Sequence, residues 1–206
     1  SRRGREQTEV WRFLISIGRL VLPVAALFAL SIGLSEPGLF GRRSALLLES
    51  LPLWAIAFVS LRWVSAQLLI ADEGRALLPF AEPIRVRLHH YALLITLIVL
   101  GHNAVFVVLS SDYVSDGSSA VLSFPFLVLL GILLFRVGYF LKTAPVSDNQ
   151  FYSAGSARER VIRFVGHAIV FVAFAAPVLA AIGYQHAAEF VLFNTIETLV
   201  MLAVLL

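Results

Sequence analysis

Six charged side chains stand inside long apolar runs: Arg19, Glu49, Arg62, Arg136, Glu189 and Glu197. Two histidines do the same, His102 (followed by Asn103) and His167. In hydrocarbon such groups are costly, and they mark ion paths, proton relays or paired partners. Two histidines facing each other across a helical bundle would be the ligand set of a b-type haem.

Most of these residues have an inexpensive explanation. Arg136 lies close to the cytoplasmic end of its run and can snorkel, as can Arg62. Glu49 and Glu189 fall within about a turn or two of the outer boundary. Glu197 is deeper, near the midplane, about 15 Å into its run at about 1.5 Å per residue. Arg19 enters from the opposite direction to a similar depth. A buried Arg19–Glu197 pair is therefore expected, with Arg62 as the second choice of partner. Its plain role is to hold helices in register, either as an ion pair or with Glu197 neutral and hydrogen-bonded. A relay would need a second aligned carboxylate. His102 and His167 differ in depth by several residues, and both read as satisfied polar core residues. His89, His90 and His186 fall at interfaces. The expectation is no metal, no haem, no other cofactor and no enzymatic activity.

These residues are carried by a chain of 206 residues that is 59% hydrophobic and only 14% charged, with a mean hydropathy of +0.88. Soluble domains carry about 25% charged residues, and a soluble chain of this size cannot hide so much apolar surface. Lipid is the solvent that suits it. The formal charge of +3 comes from basic residues between the apolar runs, which matches anionic headgroups rather than nucleic acid. There is no cysteine, so no disulfide, thiolate ligand or cysteine nucleophile.

Six apolar runs cover residues 13–34, 44–71, 91–109, 120–141, 161–184 and 187–206. Each is near the roughly 20 residues a spanning helix needs. They are continuous rather than alternating, and backbone groups in lipid must pair within their own segment, so helices are expected. The fold class is all-α, a polytopic membrane domain of six transmembrane helices in three hairpins, 13–71, 91–141 and 161–206. Short turns close each hairpin, and longer connections, 72–90 and 142–160, join them. In the first connection Pro79 and Pro83 should break any long helix, leaving it along the interface or as an ordered loop. Basic residues including Arg2, Arg3, Arg5, Arg75, Arg85, Arg87, Lys142, Arg158 and Arg160 fall on one side, which places both ends of the segment in the cytoplasm. The chain opens on Ser1 and stops within an apolar run at Leu206, so it is expected to be a piece of a longer protein. The fifth run is dense in small residues from Ala173 to Gly183, which suits close helix packing. Pro177 is expected to kink it.

The stretch APVLAAIGYQHAAE from Ala176 to Glu189, followed by Thr195 and the run TLVMLAVLL from Thr198 to Leu206, resembles the pre-pore helices of large multi-helix bacterial relatives of the small-conductance mechanosensitive channel. The run FPFLVLLGILLFRVG from Phe124 to Gly138 has a similar character. The resemblance implies a tension-sensing scaffold of peripheral hairpins, embedded in the bacterial inner membrane, in contact with lipids and forming a homo-oligomer in the full-length protein. The family's Gly/Ala-rich pore helix and β-rich cytoplasmic domain have no counterpart here, so no pore residue of the family falls on a position of this chain. Three other readings stay open: a secondary transporter using Glu197, Asn194, His102 and Asn103; a b-type cytochrome using His102 and His167; and an accessory subunit packed on a larger complex.

Overall fold

The computed structural model describes residues 18, 21–22, 24–33, 42–69, 82–110, 116–143 and 157–205. Within them the chain is helical: α1 (Val24–Gly33), α2 (Arg42–Leu69), α3 (Glu82–Ser110), α4 (Asp116–Thr143), α5 (Ala157–Ala181) and α6 (Gln185–Leu205). Four of these, α2 to α5, are long and apolar enough to cross a membrane, against the six spans expected. The 28 residues of α4 measure about 42 Å at about 1.5 Å per residue, more than a hydrocarbon core of about 30 Å requires. Several hydroxyls within the helices are satisfied by their own backbone, as suits lipid. Thr96, Thr195 and Thr198 donate to the carbonyls of Ala92, Val191 and Asn194 at 2.8, 2.7 and 2.6 Å.

The chain divides into two compact units, Ser1–Trp63 and Val64–Leu206. The first holds α1 and most of α2. Its described surface is mostly apolar, with Leu22, Ile32 and Leu53 exposed beside the charged Glu49 and Arg62, and Ser31 and Ser50 bonding back to Phe28 and Leu46.

The second unit is organised on α4, which packs against α3, α5 and α6. Leu127, Leu130 and Leu134, spaced three and four residues apart, form one fully buried stripe of α4. Ile95 of α3, Ile169, Ala173, Ala176 and Ala180 of α5, and Ala188 and Leu192 of α6 complete that core. A smaller cluster joins Leu69 at the end of α2 to Leu88 of α3 and Ile162 of α5. Beside it Ser65 and His89 are hydrogen-bonded at 3.0 Å.

The most extensive contact is between α4 and α5, which the sequence assigns to different hairpins. Glycine explains it. A Cβ on Gly131 would stand 2.7 Å from Pro177 Cγ and 2.8 Å from the Ala173 carbonyl oxygen. One on Gly138 would stand 2.9 Å from the Gly166 oxygen, and one on Gly166 3.0 Å from the Gly138 oxygen. Hydrogens fit where methyl groups cannot, so the two backbones touch along two turns and gain dispersion contact that lipid alone does not supply. Such approaches place Cα–H groups against carbonyl oxygens, a weak but recurring attraction at helix interfaces. Pro177, where a kink was expected, lies inside a helix that continues to Ala181. It has no N–H to give the Ala173 carbonyl four residues back, and that oxygen faces Gly131 instead.

Two helix boundaries differ from the expectation. α3 starts at Glu82, so Pro83 begins a helix rather than breaking one. Proline fits the first turn because the N–H it lacks has no partner there in any helix. As a result Arg85, Leu88 and His89 are buried in the second unit instead of lying in a connecting segment. The short turn after α5 falls earlier than the apolar runs suggest, with α5 ending at Ala181 and α6 starting at Gln185. Gly183 (φ 98°) donates its N–H to Ala180 at 3.1 Å, and Tyr184 donates to Leu179 at 2.9 Å. This is a Schellman ending, in which a left-handed residue satisfies the last carbonyls. The Tyr184 carbonyl then accepts from Ala188 at 3.0 Å and opens α6.

Candidate functional site

The Schellman turn places Gln185, His186 and Glu189 in the first two turns of α6. Gln185 and Glu189, four residues apart, share a face, and the Gln185 amide donates to Glu189 Oε1 at 3.1 Å. That same oxygen lies 3.8 Å from His102 Nε2 on α3. The other oxygen, Oε2, lies 3.9 Å from His186 Nδ1. The His102 side chain is 10% exposed, Glu189 25% and His186 98%. The three therefore step from the bundle interior to its surface.

Aromatic rings enclose the inner end. Phe126 of α4 meets the His102 ring edge-on at 5.8 Å between centroids, and Phe193 of α6 lies at 5.4 Å. Gly101 makes room on the α3 side, since a Cβ there would come within 3.3 Å of Phe126. His102 Nε2 is buried and has no hydrogen-bond partner. At 3.8 Å it is beyond hydrogen-bond length from the carboxylate. Two of the exposed histidines behave differently. His90 and His167 each bond their own helix, to the carbonyls of Val86 and Arg163, both at 2.7 Å.

The backbones of α3 and α6 are not packed on each other. At this end of the unit His102 connects them, through Glu189 and Phe193. Chemically the arrangement suits holding a proton between an imidazole and a carboxylate. Among the described residues, no group of three histidine, cysteine or carboxylate side chains is placed to hold a metal ion.

The other residues singled out by sequence are dispersed. Arg19 lies outside the described residues, so the expected Arg19–Glu197 pair is not described. Glu197 is exposed on α6, as is Asn194. Glu49, Arg62 and Arg136 are also exposed. His167 is on α5 and bonded within it, and α4 intervenes between α5 and α3. His102 was expected to be a satisfied core residue, but its Nε2 is not satisfied. Sequence alone places Glu189 near the outer boundary and His186 at an interface. The signal that could have drawn them together is depth. His102 is seven residues from the end of the apolar span Glu82–Leu109, and Glu189 is four residues from the start of α6, and the two ends fall at the same end of the bundle.

No family model, curated protein or solved structure matches the sequence.

Proposed function

We propose that this chain is a membrane-embedded, tension-sensing scaffold of a mechanosensitive channel, with the pore formed outside it. In this reading six helices cross a bacterial inner membrane as three hairpins, both segment ends are cytoplasmic, and the full-length protein is a homo-oligomer surrounded by lipid. The observation that carries it is the α4–α5 seam together with what surrounds it. Two long apolar helices are locked backbone to backbone at Gly131, Gly138 and Gly166, while Phe164, Phe171 and Phe174 of α5 and Leu129, Ile132 and Phe135 of α4 point outward. A stiff pair with a lipid-facing rim moves as one body when the surrounding bilayer thins or spreads. Bound lipid then biases gating only by its difference in affinity for the two states.

Patch-clamp recording of the full-length protein under graded suction tests this. Phe171→Lys, on the outward face of α5, should shift the tension threshold and leave unitary conductance unchanged. A changed conductance at an unchanged threshold would place these helices in the permeation path.

A secondary transporter or accessory membrane subunit is the second reading. The His102–Glu189–His186 series favours it, because transporters gather polar side chains where helices meet in the membrane. Substrate-linked proton flux that disappears in Glu189→Gln, with normal membrane insertion, would favour this reading over the first.

A further inference from the structure

We propose that His102 and Glu189 form a proton-binding site that clasps α3 to α6. The inference is independent of what the protein conducts or carries. It rests on three observations.

The first is the orphaned atom. His102 Nε2 is buried, unpartnered and 3.8 Å from Glu189 Oε1. A buried polar atom without a partner is expensive, and Thr96 of α3 and Thr195 of α6 avoid that state by bonding back to their own backbone. A gap of 3.8 Å is too long for a hydrogen bond and too short to admit a bridging water. A charge-assisted N–H···O bond spans about 2.8 Å, so closure needs a movement of about 1 Å between two helices whose backbones are not packed on each other.

The second is the fixed carboxylate. The Gln185 amide holds Oε1 from within α6, so the oxygen facing His102 is positioned rather than free to rotate away.

The third is a route. His186, almost wholly exposed, lies 3.9 Å from the other carboxylate oxygen. Glu189 thus has one oxygen toward the surface and one toward the buried imidazole. A proton taken from bulk water by the carboxylate can pass to the imidazole without crossing apolar surface.

The groups facing His102 are few. α6 presents Glu189 and His186. α4 presents the Phe126 ring, and its described titratable side chains, Arg136, Tyr139 and Lys142, lie ten or more residues further along. With no described cation beside it, Glu189 is the partner that decides the outcome. When the imidazole carries a proton on each nitrogen, Nε2–H donates to Oε1 and the clasp closes. When Nε2 is bare, a lone pair faces a carboxylate and the clasp opens. One proton is taken up on closing and returned to water on opening.

Solid-state NMR on the full-length protein in bilayers, carrying 15N-histidine and 13C-glutamate, reads both changes. The spectra are taken near pH 8 and near pH 5, the range in which histidine exchanges its proton. His102 is assigned by difference with His102→Gln, or, should that variant not fold, by elimination with single Gln substitutions at the other four histidines, His89, His90, His167 and His186. The expected result is a His102 ring that gains a second N–H at the lower pH while the Nε2 to Glu189 carboxyl-carbon distance shortens by about 1 Å. In Glu189→Gln the ring's response should shift along the pH axis. A ring and a distance that are the same at both pH values would overturn the proposal. So would a ring that titrates with no change in distance. Should Glu189→Gln not fold, the wild-type distance decides alone.

Discussion

Gly138 and Gly166 face each other across α4 and α5, each turning its bare Cα toward the other's carbonyl oxygen. The relationship is reciprocal, so neither glycine can gain a side chain without parting the helices. Gly138→Ala or Gly166→Ala should destabilise the second unit by about 1–3 kcal/mol, the usual range for overpacking. The double variant should fall short of the sum, because helices already moved apart accommodate both methyl groups. Unfolding in mixed micelles, followed by steric trapping, measures each value.

Two turns away, Gly131 meets a proline ring as well as a backbone carbonyl. Its missing Cβ would meet the Pro177 ring at 2.7 Å and the Ala173 oxygen at 2.8 Å. Gly131→Ala should therefore be as harmful as the changes at the reciprocal pair. Pro177→Ala should relieve it only in part, since the carbonyl obstacle remains. The same unfolding assay on both single variants and the double variant checks this. Full relief would show that the ring alone sets the spacing.

The α5–α6 turn depends on a left-handed residue. Gly183→Ala keeps every side-chain contact and imposes a left-handed conformation on an L residue, at about 1–2 kcal/mol. Gly183→Asn should lose less, because asparagine tolerates that conformation better. Unfolding free energies of the two variants should rank in that order. Gln185, His186 and Glu189 are positioned by this turn, so Gly183→Ala should also perturb the His102 resonance.

Phe171 lies at the middle of the span Arg160–Ala181 and is exposed. Arginine there should reduce insertion by about 2.5–3.5 kcal/mol on the scale set by cellular insertion. A glycosylation-mapped insertion assay of α5 reads this directly. Arginine at Arg160 is already native, at the end of that span, where snorkelling makes it cheap.

Helices and their apolar character were legible because lipid leaves the backbone no alternative to internal pairing. The runs at residues 91–109, 120–141 and 161–184 lie within α3, α4 and the α5 turn region. Which helices touch most closely was not legible. Short loops suggested pairing α3 with α4 and α5 with α6, whereas the glycines at 131, 138 and 166 make α4 and α5 the closest pair. Those glycines are visible in the sequence, but whether two sets of small residues face each other depends on the rotation of both helices. Pro83 misled by its type, since a proline ends a helix from within and starts one from its first turn. The polar site was hidden for a related reason. Counting residues from a boundary placed Glu189 near water, and the tight Gly183 turn brings it back over the bundle, toward His102.

The proposed topology, a multi-pass membrane domain with its basic end inside, is open to direct labelling. The chain has no cysteine, so single cysteines report without background. Gly117 and Thr143, both exposed, stand at opposite ends of α4. With Gly117→Cys and Thr143→Cys in intact spheroplasts, a membrane-impermeant maleimide should label position 117 at once and position 143 only after the membrane is opened. Labelling of both positions, or of position 143 alone, before the membrane is opened would contradict that topology.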